Sequence, residues 1–113
     1  MRGRVTSRSM SPLEKFLTAL RPLLRKQGAR AAWVFGSHAR GEADATSDID
    51  VIVVAPTERL PVERFRDYLP AILEAGVGVD LFVYTPEEFE RLRAEERPFL
   101  MTALEYAKLV YEG

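Results

Sequence analysis

The chain has no cysteine and a single histidine, and none of its apolar runs approaches the ~20 residues needed to cross a bilayer as a helix. Without cysteine there are no disulfides and no thiolate metal sites, which leaves oxygen donors as the natural metal ligands. Charge of one sign is also lacking. The formal net charge is −1, with 16 basic and 17 acidic side chains, so no global attraction draws the protein to nucleic acid and no direct nucleic-acid binding is expected. The basic start of the chain lacks the hydrophobic stretch of a secretory signal. No membrane association is therefore expected, and cytoplasmic residence is the default. Linkers, internal repeats and low-complexity segments are missing as well. What remains is ordinary for a globular domain: 47% apolar and 29% charged residues. At 113 residues one core is expected, with residues 1–10 as a flexible tail and 11–113 as a single domain.

Helix and strand signals alternate along the chain. Ser11-Pro12-Leu13-Glu14 combines an N-cap, a proline at the first helical position and an acid that closes a capping box. Leu13, Phe16, Leu17, Leu20, Leu23 and Leu24 then repeat at helical spacing up to a stop at Gly28, with Pro22 expected to kink the helix or restart it. Ala31–Phe35 reads as a short strand ending at Gly36, and Asp48–Ala55 as a central strand that is apolar on both faces. A helix is expected over Pro61–Ala75, a third strand over Val77–Tyr84, helices from Pro86 to about Glu95 and from Pro98 to about Glu105, and a closing strand over Lys108–Tyr111. The expected fold is α/β, a small mixed sheet flanked by helices. Trp33, on the first strand, reads as core.

The chemistry is concentrated between Gly36 and Asp50. Ten residues (38–47) separate Gly36-Ser37 from Asp48-Ile49-Asp50. On a strand, Asp48 and Asp50 project from one face about 7 Å apart, given the ~3.3 Å rise, while Ile49 points to the core. An isolated Asp-x-Asp is as readily a turn cap followed by a solvated strand edge. Asp80, thirty residues after Asp50 within Val77-Gly-Val-Asp-Leu-Phe-Val-Tyr84, shifts that balance, because an unpartnered carboxylate buried mid-strand is costly and three such groups repel one another. A divalent cation relieves both costs, and oxygen-only ligation favours Mg²⁺, with Mn²⁺ as alternative. Gly36 lets the backbone approach a phosphate closely, Ser37 adds a hydroxyl, and a short helix starting there aims N–H groups at an anion. Arg40, one turn on, either faces a triphosphate or pairs on the surface with Glu42 or Asp44. His38 is expected to face solvent or the nucleotide rather than act as the base.

Taken together, Gly36-Ser37, Asp48-Ile49-Asp50 and Asp80 resemble the nucleotidyltransferases of the DNA polymerase beta superfamily, and over about residues 12–112 the chain is similar to the minimal nucleotidyltransferases (MNT). The resemblance implies the nucleotidyltransferase fold. It also implies two metal ions (Mg²⁺) bound by Asp48 and Asp50, Asp80 as third ligand and candidate base, ATP as substrate, and a Gly36-Ser37 turn that holds the triphosphate. No motif residue is missing. Proteins of this kind are commonly antitoxins of HEPN-type toxins and act by transferring AMP to a toxin tyrosine. A docking module that neutralises its partner without essential transfer is the alternative. A chain this short has no room for a separate acceptor domain, so its open side is expected to be completed by a partner protein or by a second copy of the chain. The exposed parts of the helix from Pro61 and the segment around Tyr106 and Tyr111 are the surfaces expected to serve.

Overall fold

The computed structural model describes residues 10–113. The tail expected over residues 1–10 lies outside these, apart from Met10, which is exposed ahead of the first helix cap. Helix α1 (Pro12–Lys26) starts as its sequence dictates. Glu14 N donates to Ser11 Oγ at 3.1 Å, and Ser11 N donates to Glu14 Oε1 at 2.8 Å. The helix runs through Pro22 as one element of 15 residues rather than restarting there. Proline costs the helix one donor. The sheet-facing stripe of Phe16, Leu17, Leu20 and Leu24, which is buried, holds the helix together across that gap.

Strand β1 (Ala31–Phe35) is followed by a single helical turn, α2 (Ser37–Arg40), a loop, and β2 (Ile49–Val54). A 3₁₀ helix (Pro61–Tyr68) leads into α3 (Leu69–Ala75), then β3 (Val79–Tyr84), α4 (Pro86–Ala94), α5 (Pro98–Glu105) and β4 (Lys108–Glu112). The one continuous helix expected over Pro61–Ala75 is therefore corrected to two helices of different pitch. Pro70, at the start of α3, has no N–H to continue a preceding α-helical ladder but suits a first turn.

The sheet order is β3-β2-β1-β4, with β2 and β3 parallel and the β2–β1 and β1–β4 pairs antiparallel. This is the mixed sheet expected, with β2 in its interior. Every β2 residue except Asp50 is buried. One face packs on α1 and α3 through Ala32, Val34, Val51 and Val53. The other packs on α4 and α5, where Ile52 and Val54 meet Phe89, Leu100 and Ala103. Trp33 stacks on Phe89 with ring centroids 5.3 Å apart but is only half-buried, so it packs against the core rather than within it as expected. Truncating a fully buried side chain such as Leu20 or Phe16 to alanine costs roughly 2–5 kcal/mol.

One buried charge ties the 3₁₀ helix to the end of β3. Arg64, 7% exposed, donates to both carboxylate oxygens of Glu88 (2.7 and 3.1 Å), to Val83 O (3.0 Å) and to Arg59 O (3.2 Å). Glu88 also closes the capping box of α4, accepting from Thr85 N at 2.9 Å. Nothing in the hydrophobic pattern marks Arg64 as buried.

Candidate functional site

Strand alternation decides which side chains share a face. Odd-numbered residues of β3 (Val79, Leu81 and Val83) join the α1–α3 core, which turns Asp80 to the opposite face. Asp50 lies on that same face of β2, in register with Asp80 across the parallel ladder. Asp48 sits one residue before β2 begins. Its carboxylate reaches towards Gly78, where an added Cβ would stand 2.6 Å from Asp48 Oδ1. Three carboxylates thus gather at one end of the sheet, beyond the edge of the α4–α5 core.

Their exposure differs from the expectation in one respect. Asp80 is exposed rather than buried, on a strand that lies at the edge of the sheet. Asp48 is exposed as well, and Asp50 is half-buried between them. Burial holds the Asp50 carboxyl above the ordinary carboxylate range. A hydrogen bond shared with Asp80 and the charges of Asp80 and Asp48 push it the same way, and nearby His38 opposes them. The crowding expected of three carboxylates is thus felt at the half-buried Asp50.

Gly36 presses on the same carboxylate. Its backbone (φ 71°, ψ −148°) occupies a region that only glycine adopts without strain, and a Cβ there would collide with Asp50 Oδ2. Two independent constraints therefore require glycine at position 36. Ser37, half-buried, opens α2 next to it. The spacer that follows is ordered by its own side chains. Asp44 Oδ1 accepts from Thr46 N (2.8 Å), Thr46 Oγ1 (2.9 Å) and Ser47 Oγ (3.2 Å), and the Thr46 backbone bond is the main cause holding the Asp44 carboxyl below its usual value. His38 closes this loop with a 3.4 Å contact from Nε2 to Ser47 O, in which the ring donates when Nε2 carries the proton. His38 therefore faces the loop and Asp50 rather than open solvent.

Arg40 takes the surface alternative: its Nε donates to Glu42 Oε1 at 3.1 Å in an exposed pair. Such pairs are worth ~0–1 kcal/mol, too little to hold the guanidinium against a stronger anion. Gly78, which makes room for Asp48, was not among the expected site residues. Its signal is its place two residues before Asp80, on the same strand face.

All the ligand candidates are oxygens, and the crowded Asp50 carboxyl would gain from a neutralising cation, so the donor set fits a divalent ion in kind. Among the described residues, however, no three acidic or histidine side chains are placed so that together they could hold a metal ion.

A mixed sheet with a Gly-Ser turn at the end of one strand, an Asp-x-Asp at the start of its neighbour and a third aspartate on the next strand defines a nucleotidyltransferase core. The chain belongs to the nucleotidyltransferase domain family, whose model matches residues 13–110. A relative named protein adenylyltransferase MntA, from Thermococcus cleftensis, is 38% identical over 78 residues, 65% of this chain and 75% of that protein. The fold is shared with a toxin–antitoxin solved with AMP-PNP (TM-score 0.63, 20% identity, 86% of this chain and 73% of that one). It is shared too with the toxin–antitoxin MntA–HepT (TM-score 0.57, 18% identity, 88% and 73%). No helix among the described residues is long and apolar enough to cross a membrane.

Proposed function

We propose that this protein transfers AMP from ATP to a hydroxyl, a tyrosine in the first instance, of a HEPN-type toxin and thereby acts as its antitoxin. The observation that carries the reading is the side-by-side placement of Asp50 and Asp80 on one face of the sheet, with Asp48 near them and Gly36 pressed against Asp50. The kinship with MntA and the fold shared with toxin–antitoxin structures support the choice of acceptor.

In this reading Asp48 and Asp50, with Asp80 as third ligand, would hold two Mg²⁺ ions, which would supply charge neutralisation at the phosphates and a lowered pKa for the attacking hydroxyl. The Gly36-Ser37 turn lets the triphosphate lie close to the backbone. The acceptor oxygen bonds to the α-phosphorus as the bond to the α–β bridging oxygen breaks, and pyrophosphate leaves. The acceptor's proton passes to an Asp80 carboxylate oxygen. Asp80 suits that role because its exposure on an edge strand leaves it open to a macromolecular acceptor. Arg40 exchanges Glu42 for a phosphate oxygen. The protein's own contribution is positioning and charge compensation.

The test is to incubate the protein with Mg²⁺, ATP labelled in its AMP moiety and the protein encoded beside it. Label on the neighbour supports the reading. Label on small molecules or RNA, with the neighbour unmodified, sinks the protein-acceptor proposal.

A further inference from the structure

Large apolar side chains left in solvent are concentrated on one short stretch of the molecule. Among the described residues nine are exposed, and five of them (Leu60, Val62, Phe65, Leu69 and Leu73) fall between positions 60 and 73. Helical pitch lines four of them up. In the 3₁₀ helix (Pro61–Tyr68) a turn takes three residues, so Val62 and Phe65 stand one above the other. From Phe65 to Leu69, and within α3 from Leu69 to Leu73, the step is four residues, one α-helical turn. Arg64, Tyr68, Ala71 and Ala75, which alternate with them, are buried.

The result is a row with one apolar side chain per turn, about 20 Å long from rises of ~2.0 and ~1.5 Å per residue. Val62 and Leu73 at its ends are 79% and 73% exposed, and Phe65 and Leu69 at its centre 41% and 38%. Single exposed apolar side chains need no cause, but a contiguous row of them marks a surface that meets another molecule.

Three features choose the occupant. The row lies on the helical layer covering the sheet face opposite Asp50 and Asp80, since Tyr68, Ala71 and Ala75 share a core with Val79, Leu81 and Val83. A molecule seated there is behind the carboxylates, so the row does not present an acceptor to them. The even spacing also reads nearly the same from either end, as a contact about a two-fold axis requires. Turned antiparallel on itself, the row sets Val62 against Leu73 of the second copy and Phe65 against its Leu69. Charge raises no barrier to such self-pairing. Residues 58–74 carry three basic and four acidic side chains, and Arg59 and Asp67 neutralise each other at 3.1 Å. A standard interface takes about 800 Å² per partner, apolar at its centre and polar at its rim. The row supplies the centre, and Glu63, Arg66 and Glu74, exposed alongside, supply the rim.

We propose that two copies of this chain pair back to back through this row, antiparallel about a two-fold axis, with both carboxylate groups facing outwards. The pairing does not depend on the transfer reading.

Sedimentation equilibrium across a concentration series tests it on wild type, Val62→Lys, Leu73→Glu and the variant carrying both substitutions. Wild type is expected to rise from 12.8 kDa towards twice that mass. Each single variant should stay at 12.8 kDa and still melt as a folded protein, both positions being exposed. The variant carrying both places opposite charges against each other across the two-fold axis and should pair again. A wild type that stays at 12.8 kDa throughout overturns the proposal, and a different protein captured by the row of that monomer would take its place. Dimers that persist in the single variants put the contact on another face and overturn it too. Loss of pairing in the single variants with no recovery in the double variant overturns the antiparallel register.

Discussion

Asp50 and Asp80 are register partners across the parallel β2–β3 ladder, and burial, with Asp80 and Asp48 beside it, pushes the half-buried Asp50 carboxyl above its ordinary value. Asp50→Asn should therefore leave the metal-free protein as stable as wild type or stabler, while abolishing transfer. Asp80→Asn, at an exposed position, should change metal-free stability less. Thermal melting in EDTA checks both. A fall of several degrees in Asp50→Asn would make Asp50 a structural hydrogen-bonding centre instead.

Nucleotide binding that depends on metal should appear as stabilisation. A ligand that binds only the folded state adds ~2.7 kcal/mol at a hundredfold excess over Kd, which in a domain near 100 residues is a rise of roughly 10 °C or more in Tm. ATP with Mg²⁺ should give it, and ATP with EDTA far less. Equal shifts in the two conditions would contradict metal-mediated binding.

The two glycines of the site should separate under mutation. Gly36→Ala combines a strained backbone with a collision at Asp50, and should cost both stability, at least ~1–3 kcal/mol, and activity. Gly78 needs no left-handed backbone, and the nearest atoms its Cβ would meet belong to the exposed Asp48 carboxylate. Gly78→Ala should melt within a few degrees of wild type but need more Mg²⁺ for half-maximal transfer. An unchanged Mg²⁺ dependence would mean that Asp48 yields without consequence.

The Arg64–Glu88 pair sets a pH dependence. Arg64 beside it holds the Glu88 carboxyl below its ordinary value, so the pair's stabilisation is present above pH ~4.5 and is lost as pH falls through the lowered value. Glu88→Gln should flatten the acid limb of the stability curve. Arg64→Ala should destabilise by about 3 kcal/mol, since it leaves Glu88 without its main partner. Chemical denaturation between pH 3 and 7 checks both.

Most of this architecture is legible in the chain because local chemistry specifies it. Ser11–Glu14 and Thr85–Glu88 form the capping boxes that their residues announce, and the Gly-Ser and Asp-x-Asp spacing locates one end of the sheet. What escapes is what depends on layer order. Alternation within Val79–Tyr84 tells which side chains share a face, but the exposure of Asp80 follows from β3 lying at the sheet edge, and only the assembled topology shows that. Likewise Pro22 reads as a break, yet α1 passes through it because Leu20 and Leu24 on either side are locked in the core. Arg64 looks like any surface arginine until Glu88 and Val83 O converge on it from elements 24 and 19 residues away.

The most direct measurement of the central claim is the intact mass of the proposed HEPN-type partner after incubation with Mg²⁺–ATP, comparing wild type with an Asp48→Asn/Asp50→Asn double variant, alongside growth of cells carrying each pair. Wild type should add AMP to the partner and protect the cells, and the double variant should do neither while still binding the partner. Protection by a double variant that leaves the partner's mass unchanged would contradict catalysis as the means of neutralisation and make the protein a docking module.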